Sequence, residues 1–546
     1  MTNETRTAPR ASQDGEPAPY GVELTVENVR FFEMVNTLCA VENYDQLLFS
    51  FEAQQGYEID EKFHIPPADI LIVLMTLSVI PDYGTSRINA RIDPFNVGRA
   101  SFDTRSLKIL KGFVELLQDK KASKCHNIQL LRSQFFIVLD HINCNGSQTF
   151  MRNHERDPQK RRKTNSGVRL ETTTFAEREV YSKPGFKNLY SSYVSTLEHK
   201  PEILKNTILT SRLCQEGEFW NCVAWALLTS VSEDTHLYER SKQWIQLLRI
   251  IFDVFELQHD YYIQYKARFD SQSFVLNKKD SPLVRLFESL ESRDLNTAFC
   301  DILLIGFDYS IAGNFVVHPV YPKETKRPDY YVPRNAKSKS SKFAESIQFR
   351  HRLLRLFLLS LRPMSEQSEG HNHVLLDSTF SCTLGRFLSK IEDLCQLKHF
   401  FSVRVLPSSD QNYMQIIAQA TLRESIEIFG LHESIASVEK LRSGGSILEP
   451  LIEIFSSGFP PLDEDWEKSR ESFYTSLERC DICLLAILRN WENDNELKSL
   501  KACKSSKKFI KSVKLNDQRR EEFAMIMKWE DLPIPLLYTH LKKLYR

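Results

Sequence analysis

The sequence predicts an all-α fold, an irregular stack of helical hairpins that is solenoid-like or a multi-helix bundle, with little or no β-sheet. Three observations carry this. Apolar residues recur at helical spacing through most of the 546 residues. Thirty-five phenylalanines stand against 18 glycines, the composition of a helix-rich body with few glycine turns. Only 315–321 and 400–406 alternate like strands, too little for a sheet that defines a fold.

Residues 1–22 are polar and rich in Pro, Thr, Ala and Glu, which predicts a disordered tail and no secretory signal. A first helical domain follows over 23–142. Phe31, Met34, Val35 and Leu38, then Leu47, Leu48 and Phe51, form two amphipathic patterns that pair as a hairpin. Pro66 and Pro67 open a helix through Ile70, Leu71, Leu74 and Leu77, because proline fits a first turn where its missing N–H is not needed. Pro81, Asp82 and Gly84 end it. Leu107, Leu110, Phe113 and Leu116 predict a helix over 104–118, and Leu130, Leu131, Phe135, Phe136 and Leu139 another over 127–142. No fixed period relates these units, so no named repeat family is supported. Over 143–183 the periodicity disappears, leaving a polar, basic linker or surface loop.

A central core is expected over 184–319, with helices at 186–197 and 201–213 and its centre at 218–270. There Trp220, Val223, Ala224, Leu227, Leu228 and Val231 form one stripe. Trp244, Leu247, Leu248, Ile251, Val254 and Phe255 form a second, with Ile245, Ile250, Phe252 and Leu257 apolar off it, so this helix is buried on two sides. Trp220, Trp225 and Trp244 read as core, each ring able to bury roughly 150–250 Å². Ser281 and Pro282 start a helix as N-cap and first residue, and one more is expected at 297–311. A basic insert with Pro322, Pro328 and Pro333 spans 320–342. The C-terminal domain, 343–546, has helices predicted at 343–361, 380–397, 412–428, 448–455 and 465–491, then two or three short ones. In 465–491 a near-heptad stripe runs through Phe473, Leu477, Cys480, Leu484, Leu488 and Trp491.

Sequence signatures of common chemistries are missing. Gly444–Gly445 lacks the Lys-Ser/Thr of a phosphate loop, and neither G-x-S-x-G nor H-E-x-x-H occurs. Cys480 and Cys483 have C-x-x-C spacing but lie inside a helical stripe, and a zinc site needs four ligands. His371 and His373 sit in a polar loop, and Asp463, Glu464 and Asp465 precede a helix whose dipole they complement. Tyr261, Tyr262, Tyr265 and Phe269, interleaved with Lys266 and Arg268, are the best base-stacking candidates, but their spacing continues the buried helix. No catalytic residue, metal ligand or cofactor is assigned. The 11 scattered cysteines read as small buried hydrophobes of a reducing compartment. The longest apolar run, 70–80, falls short of the ~20 residues that span a bilayer, so no membrane partner is expected.

Charge says more. The 71 basic and 71 acidic residues cancel, yet three windows are strongly basic: 152–163 at +4, 323–342 at +5 and 498–520 at +8. The rest of the chain therefore carries −17, and segregation of this kind points to interaction surfaces. Lys160, Arg161, Arg162 and Lys163 form a nuclear-import candidate; without it the protein would be cytoplasmic. Lys501, Lys504, Lys507, Lys508, Lys511 and Lys514 are the candidate contact with nucleic acid or an acidic protein, on a basic ridge extended by Arg519 and Arg520. Phe509, Ile510, Val513 and Leu515 would dock that ridge on the body. The expected function is a non-enzymatic scaffold or adaptor in a nuclear assembly acting on chromatin, DNA or RNA, with other protein subunits as partners. An enzyme whose active site is assembled across helices is the alternative.

Overall fold

The computed structural model describes residues 24–54, 63–81, 101–119, 125–140, 142, 213, 217–269, 281–290, 294–307, 317–325, 340–361, 378–402, 411–428, 448–456, 470–493, 504–529 and 534–544. Among them the backbone forms seventeen α-helices, one 3-10 turn and no strand, which bears out the all-α expectation. The chain divides into two compact units. The first comprises Met1–Phe219, Gln246–Arg268 and Val320–Glu324, the second Trp220–Ile245, Phe269–Pro319 and Thr325–Arg546.

In the first unit, α1 (Val26–Ala40) and α2 (Tyr44–Glu52) form the expected hairpin. Glu42, at φ 57°, takes the left-handed position of the turn. Asn43 N–H then reaches back to the Leu38 carbonyl and Glu42 N–H to that of Cys39, the paired bonds of a Schellman cap. Asn43 also caps α2, its side chain accepting from Gln46 N–H at 3.2 Å. Helix α3 (Ala68–Val79) follows the two prolines, and every one of its residues is buried. It packs on α4 (Phe102–Gln118) and α5 (His126–Asp140). The Gln134 side chain accepts from Ala68 N–H at 3.0 Å, satisfying one of the open donors of the first turn. Arg105 on α4 clamps α2 through Asp45 and Glu52, the latter held by two bonds of 2.7 and 2.8 Å.

Helix α6 (Glu218–Thr229) and the 35-residue α7 (Thr235–Phe269) occupy the stretch expected to be the centre. α7 gives Gln246–Arg268 to the first unit and its N-terminal part to the second. In the first, Phe252 and Phe255 surround Phe219 edge-on at 5.6 and 6.4 Å. Tyr261 lies edge-on to Phe136 at 6.0 Å with the Arg132 guanidinium over its ring, and Tyr262 is buried. Packing thus occupies these two base-stacking candidates; the side chains of Tyr265, Lys266, Arg268 and Phe269 lie outside the described residues.

In the second unit Trp220, Trp225 and Trp244 are buried as expected. Trp220 Nε1 donates to the Leu286 carbonyl at 3.1 Å, on α8 (Pro282–Glu288), which begins at the predicted Ser281–Pro282 start. α9 (Leu295–Leu303) is shorter than the 297–311 expected, because the chain turns at Gly306, φ +82°. A Cβ there would lie 2.7 Å from Val231 Cγ2, so the turn needs glycine twice over. Behind it, α10 (Ser340–Leu361) carries Arg350, wholly buried. Its guanidinium donates to the carbonyls of Leu227 and Leu303, in the last turns of α6 and α9, and of Ile305 just past α9. At the negative ends of two helix dipoles, a buried cation is favourably placed. Phe299 stacks on Phe357 of α10 at 4.0 Å.

Four expectations are corrected. Phe400 and Phe401 belong to a helix and not to a strand: Asp393 caps Cys395 N–H, and Leu397, Phe400 and Phe401 are buried at helical spacing. The single helix at 380–397 is therefore two, α11 (Ser378–Ser389) and α12 (Leu394–Phe401). Residues 317–321 form no strand, since side chains bind their backbone: Asn221 takes His318, and Glu324 accepts from Val320 and Tyr321 N–H. The chain continues through α13 (Gln411–Ile428), α14 (Leu448–Ser456) and α15 (Arg470–Asn493). It closes with the 23-residue α16 (Lys504–Ile526) and α17 (Leu537–Leu544), so the helix after 498 is long where short ones were expected. No helix among the described residues is long and apolar enough to cross a membrane.

Candidate partner-binding surface

Helix α16 separates its residues by side. Phe509, Ser512, Val513, Asn516, Asp517, Arg520 and Phe523 are buried, a spacing of three and four that turns one stripe toward α14, α15 and α17. Phe509 meets Phe455 of α14 at 6.0 Å. Phe523 meets Phe473 of α15 at 5.4 Å.

The polar part of this stripe is an ion pair. Arg520 Nη1 and Nη2 donate to the two Asp481 carboxylate oxygens at 2.8 and 2.9 Å, a fork-to-fork pair linking α16 to α15. Burial alone would lower the Arg520 pKa, but the carboxylates of Asp481 and Asp517 outweigh it and raise it. The Asp517 carboxylate accepts from Leu537 and Tyr538 N–H at 3.1 and 2.8 Å, capping the start of α17. Burial pushes the Asp517 carboxyl up, against these bonds and Arg520, which pull it down. One buried arginine and two carboxylates thus fix three helices.

Past Ile526 the helix ends in a second Schellman cap. Trp529 N–H bonds the Ala524 carbonyl and Lys528 N–H that of Met525, with Lys528 at φ 56°. The cap folds Trp529 back edge-on to Phe523 at 5.6 Å.

The opposite side is solvent-facing and basic. Lys507, Lys508, Lys511 and Lys514 are exposed, within an arc of about 120° at 100° per residue. Lys504 begins the helix, its side chain outside the described residues, and Lys501 lies outside them altogether, as do Lys160, Arg161, Arg162 and Lys163. The ridge is shorter than expected from the sequence. Arg520 is internal and neutralised, Arg519 is half-buried and donates to the Ser456 carbonyl, and Leu515 points outward instead of docking. The helical phase decides this: Leu515 is two residues past Val513, which puts it across the axis from the buried stripe. The sequence held one hint of the pair, since Asp517 is the only acid in the 498–520 window. Asp481, 39 residues from Arg520, has no local signal at all.

The C-x-x-C pair is structural. Cys480 and Cys483 are wholly buried. Burial pushes both thiols up, Cys483 to about 12, so neither is a thiolate at neutral pH. No cluster of three metal-binding side chains occurs among the described residues. His371, His373 and 463–465 lie outside them.

Among the described residues the protein is, as a class, all-helical, with a strongly basic face on α16. The particular family follows from sequence comparison: the profile of the DNA repair proteins Nse5 and Nse6 matches residues 2–514, and the chain belongs to this family. It is also similar to Non-structural maintenance of chromosome element 5 of Saccharomyces cerevisiae, at 31% identity over 545 residues, covering 97% of this chain and 95% of that protein. Membership in a DNA repair family makes this a nuclear protein.

Proposed function

We propose that the chain is a non-enzymatic scaffold or adaptor subunit of a nuclear assembly that maintains chromosomes and repairs DNA. The observation that carries this is the end-to-end likeness to a protein named as an element of chromosome maintenance. A body that is all-helical among the described residues, with Cys480, Cys483, Trp220, Trp225 and Trp244 buried in packing, supports the same reading. In this role Lys501, Lys504, Lys507, Lys508, Lys511 and Lys514 bind an acidic partner, and Lys160, Arg161, Arg162 and Lys163 serve nuclear import.

The test is purification of the tagged full-length chain from its own cells, with stoichiometry measured by mass spectrometry. Stable protein partners in fixed ratio are expected. A monomer that purifies alone and turns over a small molecule would favour an enzyme assembled across the helices. Imaging a variant with Lys160, Arg161, Arg162 and Lys163 changed to Ala tests the import segment, and an unchanged nuclear signal would remove it from the account.

A further inference from the structure

We infer that the outer face of α16 receives one acidic, amphipathic segment of a protein partner, laid along the helix for about five turns; this rests on the subunit reading above. Three features of the face lead there.

First, the lysines stand at the wrong end for the helix itself. A helix N-terminus carries partial positive charge and favours acids, yet α16 has no acid in its first turn and its exposed basic residues fall in its first half. Lys514 stands over the Tyr538 ring of α17 at 4.6 Å, but local stability does not explain Lys507, Lys508 and Lys511. An acidic segment would meet the lysines and the positive end of the dipole together.

Second, the face is not basic throughout. Beyond Lys514 come Leu515, Glu521, Glu522, Met525 and Ile526, all exposed. Met525 and Ile526 are 59% and 76% exposed, and with Leu515 they make three of the seven large hydrophobic side chains exposed among the described residues. Phosphates would be repelled by Glu521 and Glu522 and gain nothing from the hydrocarbon, so this pattern selects against nucleic acid. A protein helix can match every part of it: acids over Lys507 and Lys511, apolar groups over Leu515 and Ile526, a base near Glu522.

Third, the stripe is continuous. Lys508, Lys511, Leu515, Glu522 and Ile526 recur at three, four, seven and four residues, on one side of the helix. From Lys508 to Ile526 it is roughly 27 Å long at 1.5 Å per residue, so the partner segment spans about 18 helical residues. A second copy of this chain fits less well, because an antiparallel pairing that sets Lys508 against Glu522 also sets Ile526 against the lysine-bearing start of α16.

The experiment places a photo-crosslinking residue, p-benzoylphenylalanine, at Lys511 and separately at Ile526 in the full-length chain within its native assembly. Both positions are expected to crosslink one protein within about 18 residues of each other, with the Lys511 product rich in Asp and Glu. Lys507→Glu with Lys511→Glu, and Ile526→Asp alone, should each weaken that same partner about tenfold or more, with the thermal melt unchanged. Crosslinks to nucleic acid, to a second copy, or to two different proteins overturn the inference. So does absence of crosslinks at both positions while the other subunits still co-purify, a result that leaves the subunit reading standing. A chain that purifies without partners removes both.

Discussion

Arg105 in the first unit and Arg520 in the second do the same chemistry in different surroundings. Each holds two carboxylates: Arg105 those of Asp45 and Glu52, Arg520 those of Asp481 and Asp517. The partners of Arg105 remain 34% and 27% exposed, whereas those of Arg520 are 3% and 9% exposed. Water therefore screens the first cluster and solvates whatever a mutation strands. In the second, removing one member leaves a charge with no solvent to take it up. The difference also bears on function. The Arg105 cluster clamps one hairpin to its neighbour, while the Arg520 cluster locks the inner side of the helix whose outer side carries the lysines.

The comparison breaks first at Arg520. Arg520→Ala should destabilise the second unit by about 3–5 kcal/mol in chemical denaturation, because Asp481 is left buried and unmatched. Replacing the pair together, Arg520→Met with Asp481→Leu, should recover most of that loss. If the single and double variants are equally unstable, the loss comes from packing and not from a stranded charge.

His351 sharpens the contrast, being a buried titratable group kept neutral. Its Nε2 donates to the Phe400 carbonyl at 2.9 Å, and burial lowers its pKa to about 4 from an unfolded value near 6.5. Between these values the unfolded chain holds a proton that the folded chain does not. The His351 contribution is thus complete above pH 6.5 and is lost as pH falls toward 4, by about 3 kcal/mol at the limit. His351→Gln should flatten this part of the stability–pH curve; a curve identical to wild type would contradict the assignment.

Arg105→Ala should cost less than Arg520→Ala, about 1–2 kcal/mol, and lose part of that difference in high salt, as a partly exposed pair does. Equal costs would erase the distinction between the clusters. Smallest of all, Lys528→Gly should stabilise the second unit slightly, by on the order of 0.5–1 kcal/mol, since glycine takes the left-handed position at the end of α16 without strain.

Most helices among the described residues were legible in the sequence because burial imposes a period; those expected at 186–197 and 201–213 lie outside them, Leu213 apart. The α10 stripe, the Ser281–Pro282 start and the Pro66–Pro67 entry mark helices within a few residues of where they lie. Errors arose where apolar period and chain direction part company: the two phenylalanines ending α12 read as a strand because alternation over so few residues fits both periods. The basic half of the α16 face was also legible, since lysines three and four apart need no tertiary information. Its limits were not. That Arg520 faces inward and Leu515 outward depends on which side of the helix meets Asp481 and Phe455, and those contacts join residues 39 and more than 50 positions apart.

The central claim is that α16 has an inner side that holds the fold and an outer side that holds a partner. Lys507→Glu, Lys508→Glu and Lys511→Glu, combined in the tagged full-length chain, test it in one preparation, reading both the denaturation transition and the stoichiometry of co-purifying subunits. The account predicts a transition within about 0.5 kcal/mol of wild type, as for exposed substitutions generally, together with loss of one protein partner. Retention of every subunit at wild-type stoichiometry would contradict it.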